Sequence, residues 1–324
     1  MRILVTGASG LLGLNLALEA SQQHEVFGTV HHHVIETSKF TVIQSDLLAP
    51  GAIEALLDRS QPDWVINCAA LADLDACEAD PVLAGQLNIE LPRILADNVA
   101  RGGARLVHIS TDAVFDGIRG NYLEEDAPNP LSVYARSKLD GERAVLQLDP
   151  RAIIARVNLF GWSLSGKRSL AEWFFNNLSA GDQMRGFTDV YFCPLLANDL
   201  GTILLKMLDK GLRGLYHVVA RDCASKYEFG VRLAELFGLD ADLIATANLA
   251  EAGLAAARSP NLTLIVEKLK RDLEESPPDL DSGMIRFYNQ YRTGYRAKIR
   301  KMGILRPNQE GVDGHSDRNA YDRR

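Results

Sequence analysis

The first thirteen residues constrain this chain more than any other stretch. Arg2–Thr6 (RILVT) is a short apolar run rich in β-formers, and Leu11–Ala20 takes up helical spacing. Between them Gly7, Gly10 and Gly13 make a GxxGxxG turn. Glycines there permit a tight turn and close backbone approach to a pyrophosphate, which then sits on the helix N-terminus. Gly7, Gly10, Leu11, Leu12 and Gly13 are therefore candidate cofactor-binding residues. A glycine turn of purely structural purpose is the competing reading. Its position between the first strand and the first helix favours the cofactor.

The pattern continues as strands and helices in alternation. Val26–Val30 reads as a second strand, Val42–Gln44 as a third, Trp64–Asn67 as a fourth, Ala104–Ile109 as a fifth and Ala152–Ala155 as a sixth. A long helix is expected over Leu83–Arg101. This order predicts an α/β fold, a Rossmann-type doubly wound parallel sheet with a smaller interleaved C-terminal substrate domain. The expected division is 1–156 and 190–213 for the dinucleotide domain, 157–189 and 214–287 for the substrate domain, and 288–324 as a polar, basic extension.

Ligands of such sheets bind beyond the carboxyl ends of the strands, so residues there are the next candidates. After the second strand stand His31, His32 and His33, where many NAD sites carry a carboxylate. Without that carboxylate a 2′-phosphate meets no repulsion and an imidazole such as His31 has an anion to contact, which points to NADP, with NAD as the other candidate. A metal is disfavoured because consecutive strand residues face opposite ways; a plain polar loop is the bland alternative. Asp46-Leu47 ends the third strand, where Asp46 can accept from an adenine amino group or simply cap the next helix. Cys68-Ala69-Ala70 ends the fourth, with small residues that let backbone pass close to a cofactor. Ser110, Thr111 and Asp112 follow the fifth.

Asn129–Glu142 (NPLSVYARSKLDGE) places Tyr134 and Lys138 four residues apart, with Ser132 as an N-cap, so both side chains share one helix face. An ammonium beside a phenol favours the phenolate, and the tyrosine pKa is expected to fall. The bland reading is a half-buried tyrosine and a solvated lysine on an ordinary helix. A net charge of −7 argues against a general nucleic-acid binder. No stretch reads as a membrane span, and the apolar start leads into a motif rather than a cleavage site. Cys68, Cys77, Cys193 and Cys223 form no CxxC pair, and Cys68 and Cys193 sit in apolar runs, so they read as reduced core residues of a cytoplasmic protein.

Together these residues resemble the extended short-chain dehydrogenase/reductases, and more narrowly the dTDP-4-dehydrorhamnose reductase branch. The resemblance rests on the glycine triplet, Asp46-Leu47, Asn67-x-Ala69-Ala70, Asn88, ISTDAVFDG (Ile109–Gly117), Tyr134-xxx-Lys138, ARVNLFG (Ala155–Gly161), GLYHVVARDCASKYEF (Gly214–Phe229) and RSPNLTL (Arg258–Leu264). It implies that Tyr134 donates a proton to a substrate ketone as hydride arrives from the nicotinamide. Lys138 holds the nicotinamide ribose, Thr111 (or, less so, Ser110) bonds the same oxygen, and Phe160 and Gly161 lie near the nicotinamide. Asn88 and Ser110 join the cofactor set on the same grounds. The implied partner is a nucleotide-sugar substrate, with no nucleic acid and no membrane; a homodimer is compatible with it.

The chain departs from that pattern in places. Ala113 stands where many such reductases have Tyr, and FTDVYFCPLLA (Phe187–Ala197) keeps Pro194 but has Leu195 in place of a Thr. Ala113 also removes the carboxyl pair that a sugar dehydratase would need. An epimerase, or a regulatory subunit like the beta subunit of methionine adenosyltransferase, remains as an alternative to reduction. Trp162, Trp173, Phe174 and Phe175 are expected mostly in the core, and Arg258 suits a diphosphate. The basic run Arg292–Lys301 reads as a solvated helix leading into a disordered tail, against a partner-docking or phosphate-facing segment.

Overall fold

The computed structural model describes residues 1–251 and 259–303. The amino-terminal half alternates as expected: β1 (Arg2–Thr6), α1 (Leu11–Ala20), β2 (Glu25–Val30), β3 (Thr41–Gln44), α2 (Ala52–Ser60) and β4 (Trp64–Asn67). The short α3 (Leu74–Ala79) and α4 (Pro81–Gly85) follow, then α5 (Leu91–Gly102), β5 (Arg105–Thr111), α6 (Val133–Leu148) and β6 (Ile153–Val157). The single helix expected over Leu83–Arg101 is instead α4, a π-helical turn at Gln86–Glu90 and α5.

Seven parallel strands form the central sheet in the order β11-β6-β5-β4-β1-β2-β3, where β11 is Gly214–Val218. The expected parallel, doubly wound sheet is present. Its edge strand β11 falls inside 214–287, the range read above as substrate domain: Gly214–Val218 pairs residue for residue with Ile153–Val157, which only tertiary packing could assign. Both faces are covered. Ile3, Val5, Ile66, Val107 and Ile153 face α1 and α8 (Ala197–Asp209). Leu4, Val65, Leu106 and Ile154 face the apolar sides of α2, α5 and α6. Successive strand residues point to opposite faces, so strands buried on both sides read as unbroken apolar runs.

The smaller lobe is built from β7 (Leu159–Phe160), α7 (Leu170–Ala180), β8 (Met184–Phe187), β9 (Tyr191–Phe192), β10 (Leu195–Leu196), β12 (Ala224–Ser225), α9 (Lys226–Phe237) and β13 (Ile244–Ala247). α10 (Glu267–Leu273), α11 (Leu280–Arg292) and α12 (Tyr295–Lys301) complete the chain's described part. Its core is aromatic: Trp162 stacks on Phe287 with ring centroids 3.9 Å apart, and Phe174, Phe175 and Phe229 pack around them. Trp162, Phe174 and Phe175 are buried as expected, while Trp173 is half-buried.

One expectation fails here. Cys193 and Cys223 form a disulfide rather than standing reduced, while Cys68 and Cys77 are free. The antiparallel pairing of β9 with β12 sets Phe192 opposite Ala224 and so brings the next residues, Cys193 and Cys223, to a Cα–Cα distance of 4.1 Å. The basic run spans the end of α11 and α12, and Arg292, Lys298, Arg300 and Lys301 are exposed as a solvated helix requires, but its apolar side is docked. Ile299 is fully buried, and Met302 and Tyr295 pack on the main body. Residues 304–324 and Arg258 lie outside the described residues.

Candidate active site

Because all seven strands run parallel, the ends of β1 to β5 share one edge. That edge brings together Gly7, Gly10 and Gly13 after β1, His31 after β2, Asp46 and Leu47 after β3, Cys68, Ala69 and Ala70 after β4, and Ser110 and Thr111 at the end of β5. β1 and β4 lie where the strand order reverses, the usual place for a dinucleotide.

The glycine turn suits an anion. Gly7 has φ +67°, in the left-handed region, and a Cβ on Gly13 would stand 2.3 Å from the Gly7 carbonyl oxygen. α1 has no side-chain cap at Gly10 and no acidic residue in its first turn. The amide groups of its opening residues Leu11 and Leu12 therefore have no competing side-chain anion, as a pyrophosphate requires. Asn15, one turn further, is buried and donates to the carbonyls of Leu11 (2.7 Å) and Trp162 (3.0 Å), tying α1 to the second lobe.

The catalytic corner lies where β5 meets α6. Ser132 caps α6 by accepting from the Ala135 amide. Tyr134 and Lys138 then lie on one face. Thr111 ends β5 and caps the short turn Asp112–Val114, accepting from the Ala113 amide at 3.1 Å and donating to Asp112 at 3.1 Å. Burial pushes the Tyr134 pKa up, the buried Asp112 adds to the rise, and the Thr111 hydroxyl opposes it. The expected fall in the Tyr134 pKa is thus not found. Lys138 turns to His108 (Nζ to Nε2 3.4 Å) and to the field of Glu142 rather than to the phenol, and desolvation dominates. Tyr134 stays a protonated phenol at neutral pH, which suits a proton donor.

Lys138 is 2% exposed, and burial pulls its pKa down to about 8, with Glu142 opposing. Burial holds His108 well below the usual imidazole range, so that ring is neutral. A buried polar line runs on from it: His108 Nδ1 lies 3.0 Å from Asn67 Nδ2, and Thr6 donates to Asn67 at 2.6 Å. Arg156 on β6 makes two bonds to Glu142, at 2.9 and 2.8 Å, with both side chains buried. Asp112 accepts from Asn158 at 2.6 Å, and burial raises its pKa to about 6.

Among the expected cofactor residues, Asn88, Ser110 and Phe160 are buried within the fold, while Asp46 and His31 are exposed at the sheet edge. Asn88 is fully buried, donates to the Leu71 carbonyl and to Ser137, and accepts from the Leu71 amide, so it pins the chain after β4 against α6. Ser110 spends its hydroxyl on Glu142 at 2.5 Å. The Phe160 ring is 1% exposed and packs edge-on against Phe229 and Phe287, which leaves only backbone there for a ligand. Asp46 is exposed and caps the Leu48 amide. His31 is exposed, its ring 3.7 Å from that of His32. No group of side chains suited to a metal ion occurs among the described residues.

His108, Glu142, Arg156 and Asn158 were not singled out for the site by the sequence, and Asn67 entered only as part of a motif. Only Glu142 carried a signal, since its i+4 spacing from Lys138 repeats that of Lys138 from Tyr134. His108, Asn67 and Arg156 belong to three separate strands, and Asn158 to the link after β6, whose adjacency the sequence does not state.

Comparison with known proteins agrees with this geometry. The model of the RmlD substrate binding domain matches residues 1–293. A probable low-salt glycan biosynthesis reductase of Haloferax volcanii is 35% identical over 290 residues, covering 88% of this chain and 96% of that protein. The methionine adenosyltransferase 2 subunit beta of Danio rerio is 31% identical over 280 residues, covering 83% and 84%. The crystal structure of a hypothetical dTDP-4-dehydrorhamnose reductase from Sulfolobus tokodaii superposes with a TM-score of 0.77 at 30% identity, covering 87% of this chain and 98% of that one.

Proposed function

The chain belongs to the RmlD substrate binding domain family, and from that premise we propose that it is an NADPH-dependent ketoreductase acting on the 4-keto group of a nucleotide-activated 6-deoxy sugar. The observation that carries this reading is the packing of the end of β5, with Thr111, against α6, which bears Tyr134 and buried Lys138 on one face, on the strand edge that also bears the glycine turn.

The bound dinucleotide supplies the hydride. Tyr134 donates a hydrogen bond to the ketone oxygen, and Thr111 donates a second when its one hydroxyl proton turns from Asp112 to the substrate, which aligns the carbonyl carbon. Tyr134 gives its phenolic proton to that oxygen as negative charge develops on it. Lys138, charged below about pH 8, holds the nicotinamide ribose. The glycine turn and the uncapped start of α1 take the pyrophosphate. The missing carboxylate after β2 favours NADPH over NADH, with His31 near a 2′-phosphate.

The test is NADPH oxidation, followed at about 340 nm, the absorbance of the reduced nicotinamide. The substrates are a panel of nucleotide-linked 4-keto-6-deoxy sugars, each repeated with NADH. Turnover of one sugar, faster with NADPH, supports the reading and names the substrate. Tight cofactor binding without turnover on any member of the panel overturns it. That outcome favours a second reading, a cofactor-binding regulatory subunit, which the similarity to methionine adenosyltransferase 2 subunit beta motivates. Stoichiometric recovery of an enzyme partner then decides for it.

A further inference from the structure

The family match ends at residue 293, yet the chain goes on to make an ordered contact with the cofactor edge. α12 begins at Tyr295, and the segment Tyr295–Gly303 runs along the main body as a strap with three anchors. The first is on α1: the Tyr295 hydroxyl donates to Asn15 at 2.7 Å, and Asn15 in turn bonds the Leu11 carbonyl at the start of the pyrophosphate-facing helix. The second is on the smaller lobe: Arg296 donates to Asn176 at 2.9 Å, with its guanidinium 5.1 Å from the Trp162 ring and 4.8 Å from that of Phe175. The third is on the loop after β2. Ile35 and Gly303 form an antiparallel bridge, and the Glu36 amide donates to the Met302 carbonyl at 2.7 Å. Ile35, Ile299 and Met302 are buried together in the main core.

The third anchor matters because of what this loop does in a fold of this kind. The chain leaving β2 at the sheet's carboxyl edge meets the adenosine ribose. Here that chain offers exposed His31, His32 and His33 and an exposed Lys39, with no carboxylate before Glu36. Left to itself such a loop would pay ordering entropy on binding; a bridge in its middle removes part of that cost in advance.

We propose that the strap Tyr295–Gly303 determines cofactor selectivity by fixing the His31–Lys39 loop in the conformation that receives the 2′-phosphate of NADP. The inference rests on the NADPH reading above and deepens it. The strap touches no reacting atom; its residues are positioning residues. Because the 2′-phosphate is what distinguishes the two cofactors, loss of the strap changes NADPH affinity and leaves NADH affinity in place. A purely structural segment would affect both alike.

The experiment is equilibrium titration of NADPH and NADH into three proteins: the full chain, the full chain carrying Ile35→Ala with Met302→Ala, and a chain ending at Gly294. Expected is a rise of about tenfold or more in the NADPH Kd for both altered proteins, with the NADH Kd within about twofold of the full chain, as a loss of preorganisation confined to the phosphate subsite requires. If the shortened chain does not fold, the double substitution decides. A preference for NADPH that survives the double substitution overturns the strap and leaves the functional reading intact. Equal weakening of both cofactors also overturns it. Binding of NADH as tight as NADPH by the full chain overturns the NADPH reading, and the strap with it.

Discussion

The proposed cofactor cradle and the proposed catalytic corner sit on the same edge of one sheet but are made of different material. The cradle is backbone: three glycines, a left-handed turn at Gly7 and an uncapped helix start, all within thirteen residues. The corner is side chain: Thr111, Tyr134 and Lys138 held by His108, Asn67, Glu142 and Arg156 from three strands and one helix. A backbone site tolerates any side chain that fits its turns. A buried polar network fails when one member is removed, because the others are left uncompensated in low dielectric. The contrast predicts that substitutions at the corner act through chemistry and charge, and those at the cradle through sterics.

Tyr134→Phe should have the largest effect. Turnover falls by about 10²–10⁴-fold through loss of the proton donor, while the NADPH Kd stays close to that of the parent protein. Steady-state kinetics with calorimetric titration read both, and a kcat near the parent value would break the assignment. Glu142→Ala comes next, leaving the Arg156 charge buried and unpaired. Its cost is about 3–5 kcal/mol in chemical denaturation, and Ser110 loses its partner as well.

Gly13→Ala tests the cradle. Its Cβ would meet backbone, the Gly7 carbonyl, at 2.3 Å, so the turn must shift. Destabilisation of about 1–3 kcal/mol is expected, with weakened binding of both NADPH and NADH and an unchanged catalytic corner. An NADPH affinity equal to the parent's would show that the turn is structural only.

The Lys138 prediction concerns pH, and its sign differs between function and stability. With a folded-state pKa of about 8, below the ordinary lysine value, Lys138 is charged below that pH and neutral above it. NADPH affinity should therefore hold below about pH 8 and decline above it, and Lys138→Met should abolish the decline. The fold itself gains stability over the same rise, from about pH 8 up to the unfolded lysine value near 10.4, because only the unfolded chain still binds the proton there. The smallest effect is expected at Asp46→Ala. Its side chain is exposed and caps a single amide, so stability changes by no more than about 0.5 kcal/mol. A large loss of NADPH affinity would instead show that Asp46 holds the adenine.

Much of this was legible in the sequence where the information is local. A strand, a glycine turn and a helix are neighbours in the chain, and two residues four apart on a helix share a face whatever the rest of the protein does. The N-cap at Ser132 and the first six strands followed from the same short-range rules. Contacts across the sheet did not. Asn88 and Phe160 carried a resemblance to cofactor residues, yet burial directs one into the joint between the end of β4 and α6 and the other into an aromatic core. Pairing of Cys193 with Cys223 needed the register of β9 on β12, thirty residues apart.

By itself, then, the sequence determined the α/β class, the glycine turn and the shared helix face of Tyr134 and Lys138, because short-range periodicity and spacing encode them, while Thr111 joined the proposed set through the family resemblance. The tertiary structure alone decided the direction of the Tyr134 pKa, the seventh strand at Gly214–Val218, the disulfide and the strap on the β2 loop. Each of these depends on which distant segments exclude water from one another, and desolvation is a property of the packed molecule rather than of any stretch of chain.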